Sequence, residues 1–247
     1  VNSLLKNIIR SKKRINKNKI DLTSVPNWFL KEPRINNTNT TDIIKNISNE
    51  PSLHLVFKNK KYLDYFNQEI IKTTDNSAFF ISKKKITEIK DFYEGYWWVQ
   101  DFVSMLPIYL SPELKLKKII DLCAAPGGKA FQIISQNNNV VLNDISSKRI
   151  KLLKENLKRL KFDNKITNIN LLNFQETEKF DVVILDSPCS GIGTIRRNPE
   201  ILFKKNMPDI KKLANIQKKL INKASRLLKK RGILIYMVCS FFYEETK

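Results

Sequence analysis

Two cysteines follow apolar runs and could support covalent chemistry. Cys189 comes shortly after VVILD at residues 182–186, and Cys239 directly follows ILIYMV at residues 233–238. Such runs are typical of buried strands in a parallel sheet, and open α/β sheets bind ligands at the carboxyl ends of their strands. The sequence therefore predicts two thiols at one edge of a sheet, where an activated cysteine could act as a nucleophile.

The segment DLCAAPGGK at residues 121–129 has the composition of a cofactor-binding loop. Its two glycines, Gly127 and Gly128, allow a tight turn and a close approach of the backbone to a ligand. The helix that follows would present free N–H groups at its amino terminus. The dinucleotide pattern G-x-G-x-x-G is absent. A phosphate loop is excluded as well, because Cys123 and Ala130 stand where that motif has Gly and Ser or Thr.

A thiol beside a carboxylate suits methyl transfer to carbon 5 of cytosine. That carbon is a poor nucleophile until a thiolate adds to carbon 6 and the ring nitrogen is protonated. Asp186 precedes the first of the two thiols and could donate to the base or hold it. Lys129, Arg196 and Arg197 could lower a thiol pKa or bind phosphate. An inert buried thiol is the alternative for each cysteine taken alone, and it is our interpretation of Cys123.

Asp144 ends the second predicted strand of this region and has two possible roles. A carboxylate at that place beside the loop suits a ribose diol. The same residue precedes a predicted helix and could cap its amino terminus. The sequence leaves both roles open.

Composition points to a polyanionic partner. The 247 residues carry a formal net charge of +21, which favours RNA or DNA first and an anionic membrane second. A single histidine, His54, and the lack of Cys-x-x-Cys pairs argue against zinc. Three cysteines without a secretory signal indicate the cytoplasm, and no apolar stretch is long enough to span a membrane. Because the chain begins at Val1 and stops shortly after Cys239, we predict a fragment of a longer protein.

Strand and helix patterns alternate from residue 116 onward, which predicts a doubly wound α/β sheet. We predict strands at 118–123, 140–143, 166–172, 181–186 and 233–239. Helices are predicted from residue 130, over 148–160 and over 210–228, and Gly232 is predicted to stop the last one.

The region before residue 116 is predicted to form a small α+β domain. Its predicted strands are 53–57, 78–81 and 95–99, and its predicted helices are 41–49, 63–71 and 100–110. Residues 1–19 have the pattern of a basic amphipathic helix that needs a partner surface.

These motifs resemble the Sun-type family of bacterial RNA cytosine-5 methyltransferases. The matching segments are WVQD at 98–101, DLCAAPGGK at 121–129, LDSPCSGIGTIRRNPE at 185–200, YMVCS at 236–240 and EE at 244–245. The second and third are long and specific. The resemblance extends over nearly the whole chain, because VNSLL at 1–5 is similar to the closing helix of the family's NusB-like domain. Within the family, the nearest likeness is to enzymes that modify small-subunit ribosomal RNA.

The resemblance implies a class I S-adenosylmethionine-dependent methyltransferase fold, a Rossmann-like doubly wound sheet preceded by a small α+β RNA-binding domain. It implies the end of a NusB-like helical domain at 1–20, the small domain at 21–115 and a C-terminally truncated methyltransferase domain at 116–247. The implied partner is ribosomal RNA. Nothing in the sequence implies a homodimer, so we expect a monomer in the cytoplasm.

The resemblance also implies roles for individual residues in methylating carbon 5 of a cytosine, expected in 16S ribosomal RNA, through a covalent cysteine adduct. Cys239 would be the nucleophile, Cys189 would assist release of the methylated RNA, and Asp186 would hydrogen-bond the cytosine. S-adenosylmethionine would be bound by Cys123, Ala124, Ala125, Pro126, Gly127, Gly128, Lys129, Asp144, Asn173 and Asp186.

The chain departs from the family pattern at three places. Val238 stands where the family usually has Thr, Asn173 stands where it usually has Asp, and the last two strands of the family's sheet are missing. Two rival functions remain open, a non-catalytic RNA-binding or ribosome-assembly factor and a methyltransferase acting on DNA or protein. A DNA cytosine-5 enzyme would use a Pro-Cys nucleophile but would not need a second thiol at Cys239.

Overall fold

A computed structural model describes residues 25–32, 40–49, 51–66, 69–81, 84–112, 114–136, 139–175, 177–202 and 207–247. Contacts between residues divide the chain into two units: Val1–Pro51 with Thr194–Met207, and Ser52–Gly193 with Pro208–Lys247. The predicted domain limits at 1–20, 21–115 and 116–247 stay predictions. The amphipathic helix predicted over 1–19 lies outside the described residues.

The first unit contains short helical elements. Helix α1 spans Asn27–Leu30, helix α2 spans Thr40–Ser48, and a 3-10 turn spans Pro199–Ile201. Phe29 in α1 is fully buried. Ile44 and Ile47 in α2 are also buried, with 5% and 7% exposure. The predicted helix 41–49 is thus present, shifted by one residue.

The second unit begins with a four-stranded antiparallel sheet. Its elements are β1 (Leu53–Phe57), helix α3 (Lys60–Leu63), β2 (Ile70–Thr74), β3 (Ser77–Phe80) and β4 (Trp97–Val99), with 3-10 turns at Asp64–Phe66 and Ile86–Glu88. The described strands are ordered β2-β3-β1-β4. Buried apolar side chains fill one face, among them Leu55, Phe57, Phe66, Ala78, Phe80 and Trp97.

The helix predicted over 63–71 is wrong. Helix α3 ends at Leu63, and Ile70–Thr74 instead forms β2, which pairs antiparallel with β3 from Ile70 opposite Phe80 to Thr74 opposite Ser77. This segment is rich in β-branched residues, which favour a pleated strand over a helix. Asn76 lies in the tight turn that follows and returns the chain to β3, so local turn chemistry completes a hairpin.

A five-stranded parallel sheet forms the rest of this unit. In chain order the elements are α4 (Phe102–Tyr109), β5 (Ile119–Asp121), α5 (Gly128–Ile134), β6 (Val140–Asn143), α6 (Ser147–Arg159), β7 (Ile166–Thr167), β8 (Phe180–Asp186), α7 (Ile210–Ser225), β9 (Leu228–Met237) and α8 (Tyr243–Thr246). The described strands are ordered β7-β6-β5-β8-β9, and every pairing is parallel. Strand order reverses at β5, so the predicted doubly wound sheet is confirmed.

Burial on both faces explains why the central strands are so apolar. Ile119 and Ile120 point to opposite faces of β5 and are both fully buried. One core cluster includes Ile119, Phe131, Val182 and Ile184, and another includes Ile120, Val183, Leu185 and Leu220. Helices on both faces therefore cover the sheet, as parallel sheets require.

Two other predictions about this sheet need correction. The strand predicted over 166–172 is only Ile166–Thr167. The helix predicted over 210–228 ends at Ser225, and Gly232 lies inside β9 and does not stop the helix. The Leu227 carbonyl accepts a hydrogen bond from the Phe180 N–H, so the residues after the helix pair with β8 from Leu228 onward. The register then passes through a bulge before regular pairing with β8 resumes.

The two sheets of the second unit meet at a glycine. Gly95 has φ +71°, and a Cβ built there would lie 2.0 Å from the main-chain oxygen of Arg159 at the end of α6. The Arg159 guanidinium returns along the same junction and donates hydrogen bonds to the carbonyls of Phe92 (2.9 Å) and Trp97 (3.0 Å). Only glycine permits this close approach.

A buried amide network links β4 to helices α4 and α5. Trp98 Nε1 donates to Gln100 Oε1 (2.8 Å), and Gln100 Nε2 donates to Gln132 Oε1 (2.7 Å). Gln132 Nε2 in turn donates to the Met105 carbonyl at 3.2 Å. The indole N–H of Trp98 and the side-chain amides of Gln100 and Gln132 are all hydrogen-bonded in this network, which is the condition for a stable buried network.

Candidate active site

The two cysteines predicted to be neighbours lie side by side. Strands β8 and β9 pair in parallel up to Asp186 opposite Met237, and each cysteine follows within three residues. The main-chain N–H of Cys239 donates to the Sγ of Cys189 at 3.3 Å. Both thiols are free and half-buried. The two cysteines with free thiols thus lie next to each other at the same edge of the sheet.

Main-chain hydrogen bonds fix the two cysteine-bearing loops to each other. The N–H of Ser187 donates to the Met237 carbonyl at 2.9 Å, and the N–H of Gly193 donates to the Cys239 carbonyl at 3.0 Å. Ser190 Oγ lies 3.2 Å from Ser240 Oγ. Bonds of this kind on both sides of the thiols restrict their relative movement.

A buried carboxylate supports these loops from α8. Glu245 is only 2% exposed. It accepts hydrogen bonds from Ser190 N–H (2.9 Å), from Ser190 Oγ (2.5 Å) and from Gln217 Nε2 (2.9 Å). Gln217 also donates to the Pro188 carbonyl at 3.0 Å. Sequence reasoning placed Glu245 in a matching motif but gave it no role, because its partners lie 28 and 55 residues away.

Asp186 is held by a lysine of the cofactor-loop motif. Lys129 Nζ lies 2.7 Å from Asp186 Oδ2 and also donates to Ser104 Oγ at 3.0 Å. The Lys129 side chain is 11% exposed, against 31% for Asp186, so water screens this ion pair less than a surface pair. Ser104 was missed by the sequence analysis, since nothing in its segment signals a contact with residue 129.

Neither active-site thiol is activated in this structure. Burial raises the pKa of Cys239, the charge of Asp186 raises it further, and Lys129 lowers it. Burial also raises the pKa of Cys189, although N–H groups of Gly191 and Cys239 act against this. A lowered thiol pKa was one expectation for Lys129, and burial outweighs that effect here. The same expectation for Arg196 and Arg197, which lie in the first unit, stays a prediction.

The segment 121–129 forms a tight loop between β5 and α5, as its glycines predict. Gly127 has φ +117° and precedes the first residue of α5. A Cβ built at Gly127 would lie 1.9 Å from Cζ of Phe131, so a larger residue would clash with that buried ring. The Ala124 N–H donates to the Asn143 carbonyl at 2.9 Å, which connects the loop to the end of β6.

Asp144 is buried against this loop, with 2% exposure. Its Oδ2 accepts from the Ala125 N–H at 3.2 Å and lies 3.4 Å from Arg149 Nη2, and its Oδ1 accepts from the Ser146 N–H at 2.9 Å. The cap of α6 is Ser146, whose hydroxyl accepts from the Arg149 N–H at 3.3 Å. Of the two roles left open for Asp144, the helix cap is therefore taken by another residue.

The remaining predicted residues differ in their surroundings. Burial, followed by the charge of Asp121, raises the pKa of Cys123 to about 12, which agrees with an inert thiol. Asp121 accepts from the Cys123 N–H at 3.2 Å, and burial followed by the charge of Asp186 raises the pKa of Asp121 to about 7. Asn173 is exposed at the end of a 3-10 turn.

An unpredicted residue, Asn143, joins three strand ends at this edge. Its amide nitrogen donates to the carbonyls of Leu122 (3.1 Å) and Ile169 (3.0 Å). Its amide oxygen accepts from the Thr167 hydroxyl (2.8 Å) and the Ile169 N–H (3.1 Å). These bonds explain why β7 ends early, because Asn143 takes the main-chain groups of Ile169 that a longer strand would use.

The described part of the chain holds neither a three-residue cluster of metal ligands nor a membrane-spanning helix. No group of three or more His, Cys, Asp or Glu side chains there could hold a metal ion. His54 is buried, with Nδ1 at 2.8 Å from the Gln100 carbonyl and Nε2 at 2.9 Å from Thr73 Oγ1. No helix within the described ranges is long and apolar enough to cross a membrane.

The sequence is similar to those of known ribosomal RNA methyltransferases. The chain is 37% identical over 171 residues to ribosomal RNA small subunit methyltransferase B of Photorhabdus laumondii, covering 67% of this chain and 40% of the relative. It is 27% identical over 263 residues to the protein of the same name from Shewanella oneidensis, covering 100% of this chain and 61% of the relative. The chain thus spans less than two thirds of either relative.

A solved methyltransferase homologue from Pyrococcus horikoshii superposes with a TM-score of 0.70 at 25% identity, covering 82% of this chain and 69% of that chain. The predicted class I S-adenosylmethionine-dependent methyltransferase fold is confirmed. A family profile described as 16S rRNA methyltransferase RsmB/F matches residues 107–247. The chain therefore belongs to the 16S rRNA methyltransferase RsmB/F family, as its motifs predict.

Proposed function

We propose that this protein transfers a methyl group from S-adenosylmethionine to carbon 5 of a cytosine in RNA, with 16S ribosomal RNA as the substrate. The observation that carries the proposal is the adjacency of two thiols, with the Cys239 N–H 3.3 Å from the Sγ of Cys189. One thiol can attack a base while the other lies close enough to act on the same adduct. The names of the relatives support ribosomal RNA as the substrate.

The edge formed by β5 and β6 fits S-adenosylmethionine. The loop 123–129 turns sharply there at Gly127, and the Asp144 carboxylate holds the loop through the Ala125 N–H. Both carboxylate oxygens keep lone pairs that could accept hydrogen bonds from a ribose diol. Asn173 would add an amide near the adenine, the role that the resemblance implies for its position. When bound, S-adenosylmethionine supplies an electrophilic methyl group on a sulfonium.

Cys239 is the proposed nucleophile. Its sulfur would form a bond to carbon 6 of the cytosine while the ring nitrogen N3 takes a proton, and carbon 5 would gain the electron pair that attacks the methyl group. The bond between the methyl group and the sulfonium would break in that attack, and a neutral thioether would leave. A base would then remove the proton from carbon 5, cleavage of the bond between sulfur and carbon 6 would restore the Cys239 thiolate, and N3 would give up the proton that it took. Asp186, held by Lys129 at 2.7 Å, would hydrogen-bond the cytosine. Cys189 would assist the release.

The raised pKa of Cys239 sets a condition on this chemistry. The thiol must lose its proton before it attacks, because the thiolate is the nucleophile. Formation of the adduct should therefore accelerate as pH rises toward the thiol pKa. A target cytosine must also leave its stack to reach a half-buried pocket. We propose that the chain does this as a monomer in the cytoplasm, with the small α+β domain binding RNA.

Covalent trapping tests the proposal. The Cys189→Ala variant would be incubated with 16S ribosomal RNA and S-adenosylmethionine and analysed on a denaturing gel. We expect a slowly migrating protein–RNA adduct, because the attacking thiol remains while the releasing thiol is gone. The adduct should vanish in the variant that carries both Cys189→Ala and Cys239→Ala.

The third cysteine provides a matched control. Adding Cys123→Ala to the Cys189→Ala variant should leave the adduct in place at saturating S-adenosylmethionine, since the Cys123 thiol has a pKa of about 12 and its proposed role is cofactor binding, not covalent attack. Absence of an adduct from Cys189→Ala, with RNA and cofactor binding intact, would contradict the assigned roles. Bisulfite mapping of the RNA product would establish whether carbon 5 of a cytosine is the methylated atom.

A further inference from the structure

Three tyrosines and two lysines, in helix α3 and in the turns and loops beside the small antiparallel sheet, form a surface that the proposed active site does not use. We call it the tyrosine–lysine surface: Lys61, Tyr62, Tyr65, Lys90 and Tyr96. The rings of Tyr62 and Tyr96 stack with centroids 4.0 Å apart and planes 10° apart. The Tyr65 ring lies 6.1 Å from that of Tyr62, and Tyr65 is 54% exposed. A large planar ring is thus presented to solvent beside a stacked pair.

The two lysines of this surface each lie over one face of a ring. Lys61 Nζ is 5.1 Å from the Tyr62 centroid, and Lys90 Nζ is 5.4 Å from the Tyr65 centroid. Three other lysines of this region are paired with carboxylates: Lys72 with Asp64 at 3.1 Å, Lys84 with Glu69 at 2.5 Å and Lys85 with Glu88 at 3.5 Å. A cation beside an exposed aromatic face offers a phosphate contact next to a stacking platform, and this combination binds single-stranded nucleic acid.

The backbone holds these rings in place. The Asn59 side chain caps α3 by accepting from the Lys61 N–H at 3.0 Å. Trp97 Nε1 donates to the Lys90 carbonyl at 2.8 Å, and the Lys58 N–H donates to the Tyr96 carbonyl at 2.9 Å. These bonds fix the main chain at Lys61, Lys90 and Tyr96, and a fixed backbone loses little conformational freedom when a ligand binds, which favours binding.

We propose that the tyrosine–lysine surface binds unpaired nucleotides of RNA, with a base stacked on Tyr65 and flanking phosphates contacted by Lys61 and Lys90. This inference rests on the proposed function, in which RNA is the substrate. The net charge of +21 attracts polyanions in general. The exposed Tyr65 ring favours those polyanions that carry planar groups able to stack on it, as nucleic-acid bases do. A single-stranded segment therefore fits better than a duplex, whose bases are already stacked inside the helix.

Fluorescence anisotropy with a short single-stranded RNA oligonucleotide tests this inference. Tyr65→Leu keeps an apolar side chain but removes the aromatic face, and we expect affinity to fall by roughly five- to a hundredfold, as loss of one base–aromatic stack predicts. Tyr65→Phe should retain wild-type affinity. Lys90→Ala should lower the slope of log affinity against log salt by about 0.7, the value for one phosphate contact on a single strand.

Another exposed tyrosine supplies the matched control. Tyr109 is 48% exposed at the end of α4, and Tyr109→Leu should bind the oligonucleotide as the wild type does. Circular dichroism of Tyr65→Leu should match that of the wild type, since the lost ring is largely outside the core.

The outcomes separate this inference from the proposed function. If Tyr65→Leu binds the oligonucleotide as tightly as the wild type, or loses no more affinity than Tyr109→Leu, the tyrosine–lysine surface is not an RNA site. A covalent adduct from Cys189→Ala would leave the proposed function standing in that case. If the wild type binds no RNA and Cys189→Ala forms no adduct, both proposals are overturned.

Discussion

Replacing Gly127 by alanine should destabilise the protein far more than the same replacement at the neighbouring Gly128. Gly127 has φ +117°, a conformation that costs an L-residue about 1–3 kcal/mol. The new Cβ would lie 1.9 Å from the Phe131 ring, which is 2% exposed and cannot move without repacking the core. Overpacking of this kind costs about 1–3 kcal/mol. We therefore expect Gly127→Ala to lose about 2–6 kcal/mol of unfolding free energy.

Gly128→Ala is the matched control. At Gly128 the nearest atom to the added Cβ is Cδ of Gln100 at 3.3 Å, and the residue is the first of helix α5. Alanine gains up to about 1 kcal/mol over glycine in a helix, which offsets the tight contact. We expect the stability of this variant to lie within about 1 kcal/mol of the wild type.

Urea unfolding followed by circular dichroism measures both variants, and isothermal titration with S-adenosylmethionine measures the loop's proposed role. Gly127→Ala should bind the cofactor weakly even where it is folded, because the loop must shift to relieve the clash. Adding Phe131→Leu should recover part of the lost stability by removing ring atoms. Equal stability of the two alanine variants would refute the steric argument.

Three further predictions concern ionisable groups near the site. Asp121 has a pKa of about 7 when folded and of about 3.9 when unfolded, so its contribution to stability is present at acid pH and is lost as pH rises. Between pH 4 and 7 the free energy of unfolding of the wild type should fall by about 2–4 kcal/mol relative to that of Asp121→Asn, as measured by urea unfolding. A difference between the two proteins that does not change with pH would contradict this. Glu245→Ala should cost about 3 kcal/mol by leaving buried donors unpaired, whereas the exposed Glu244→Ala should change urea stability by less than about 0.5 kcal/mol. Iodoacetamide at pH 8 should alkylate Cys239 faster than Cys123, whose pKa is about 12, and mass spectrometry showing the reverse order would refute the burial argument.

The sequence predicted the adjacency of the two thiols because that adjacency depends on strand type and order. The apolar runs before Cys189 and Cys239 are typical of buried parallel strands, and neighbouring parallel strands bring their carboxyl ends together. The cofactor loop was predicted for a similarly local reason, since Gly127 adopts a backbone conformation that its residue type allows. The assignments of residues to cofactor and substrate stay predictions.

Residues whose roles depend on distant contacts could not be predicted. Glu245 and Ser104 are ordinary in their own segments, and only the folded chain brings them to Ser190 and Lys129. The helix predicted over 63–71 includes Ile70 and Ile71 of this strand because a short apolar run fits both periods, and pairing with β3 decides between them. Gly232 resembled a helix stop, but hydrogen bonding of the preceding segment to β8 overrides that local signal.

The amide network from Trp98 to Gln132 limits how the molecule can be recombined. Gln100 lies beside Gly128 on the cofactor loop, and its own hydrogen bonds connect the small sheet to helix α5. Consider a chimera in which the small sheet is replaced by that of another protein. Gln132 Oε1 would lose its buried hydrogen bond from Gln100 unless residues 98–100 of the present chain are retained. An insertion or deletion in residues 98–100 would displace Gln100 and so disturb the cofactor loop beside it. We therefore expect the two sheets to be exchanged only together, and the segment between them to tolerate changes of length least.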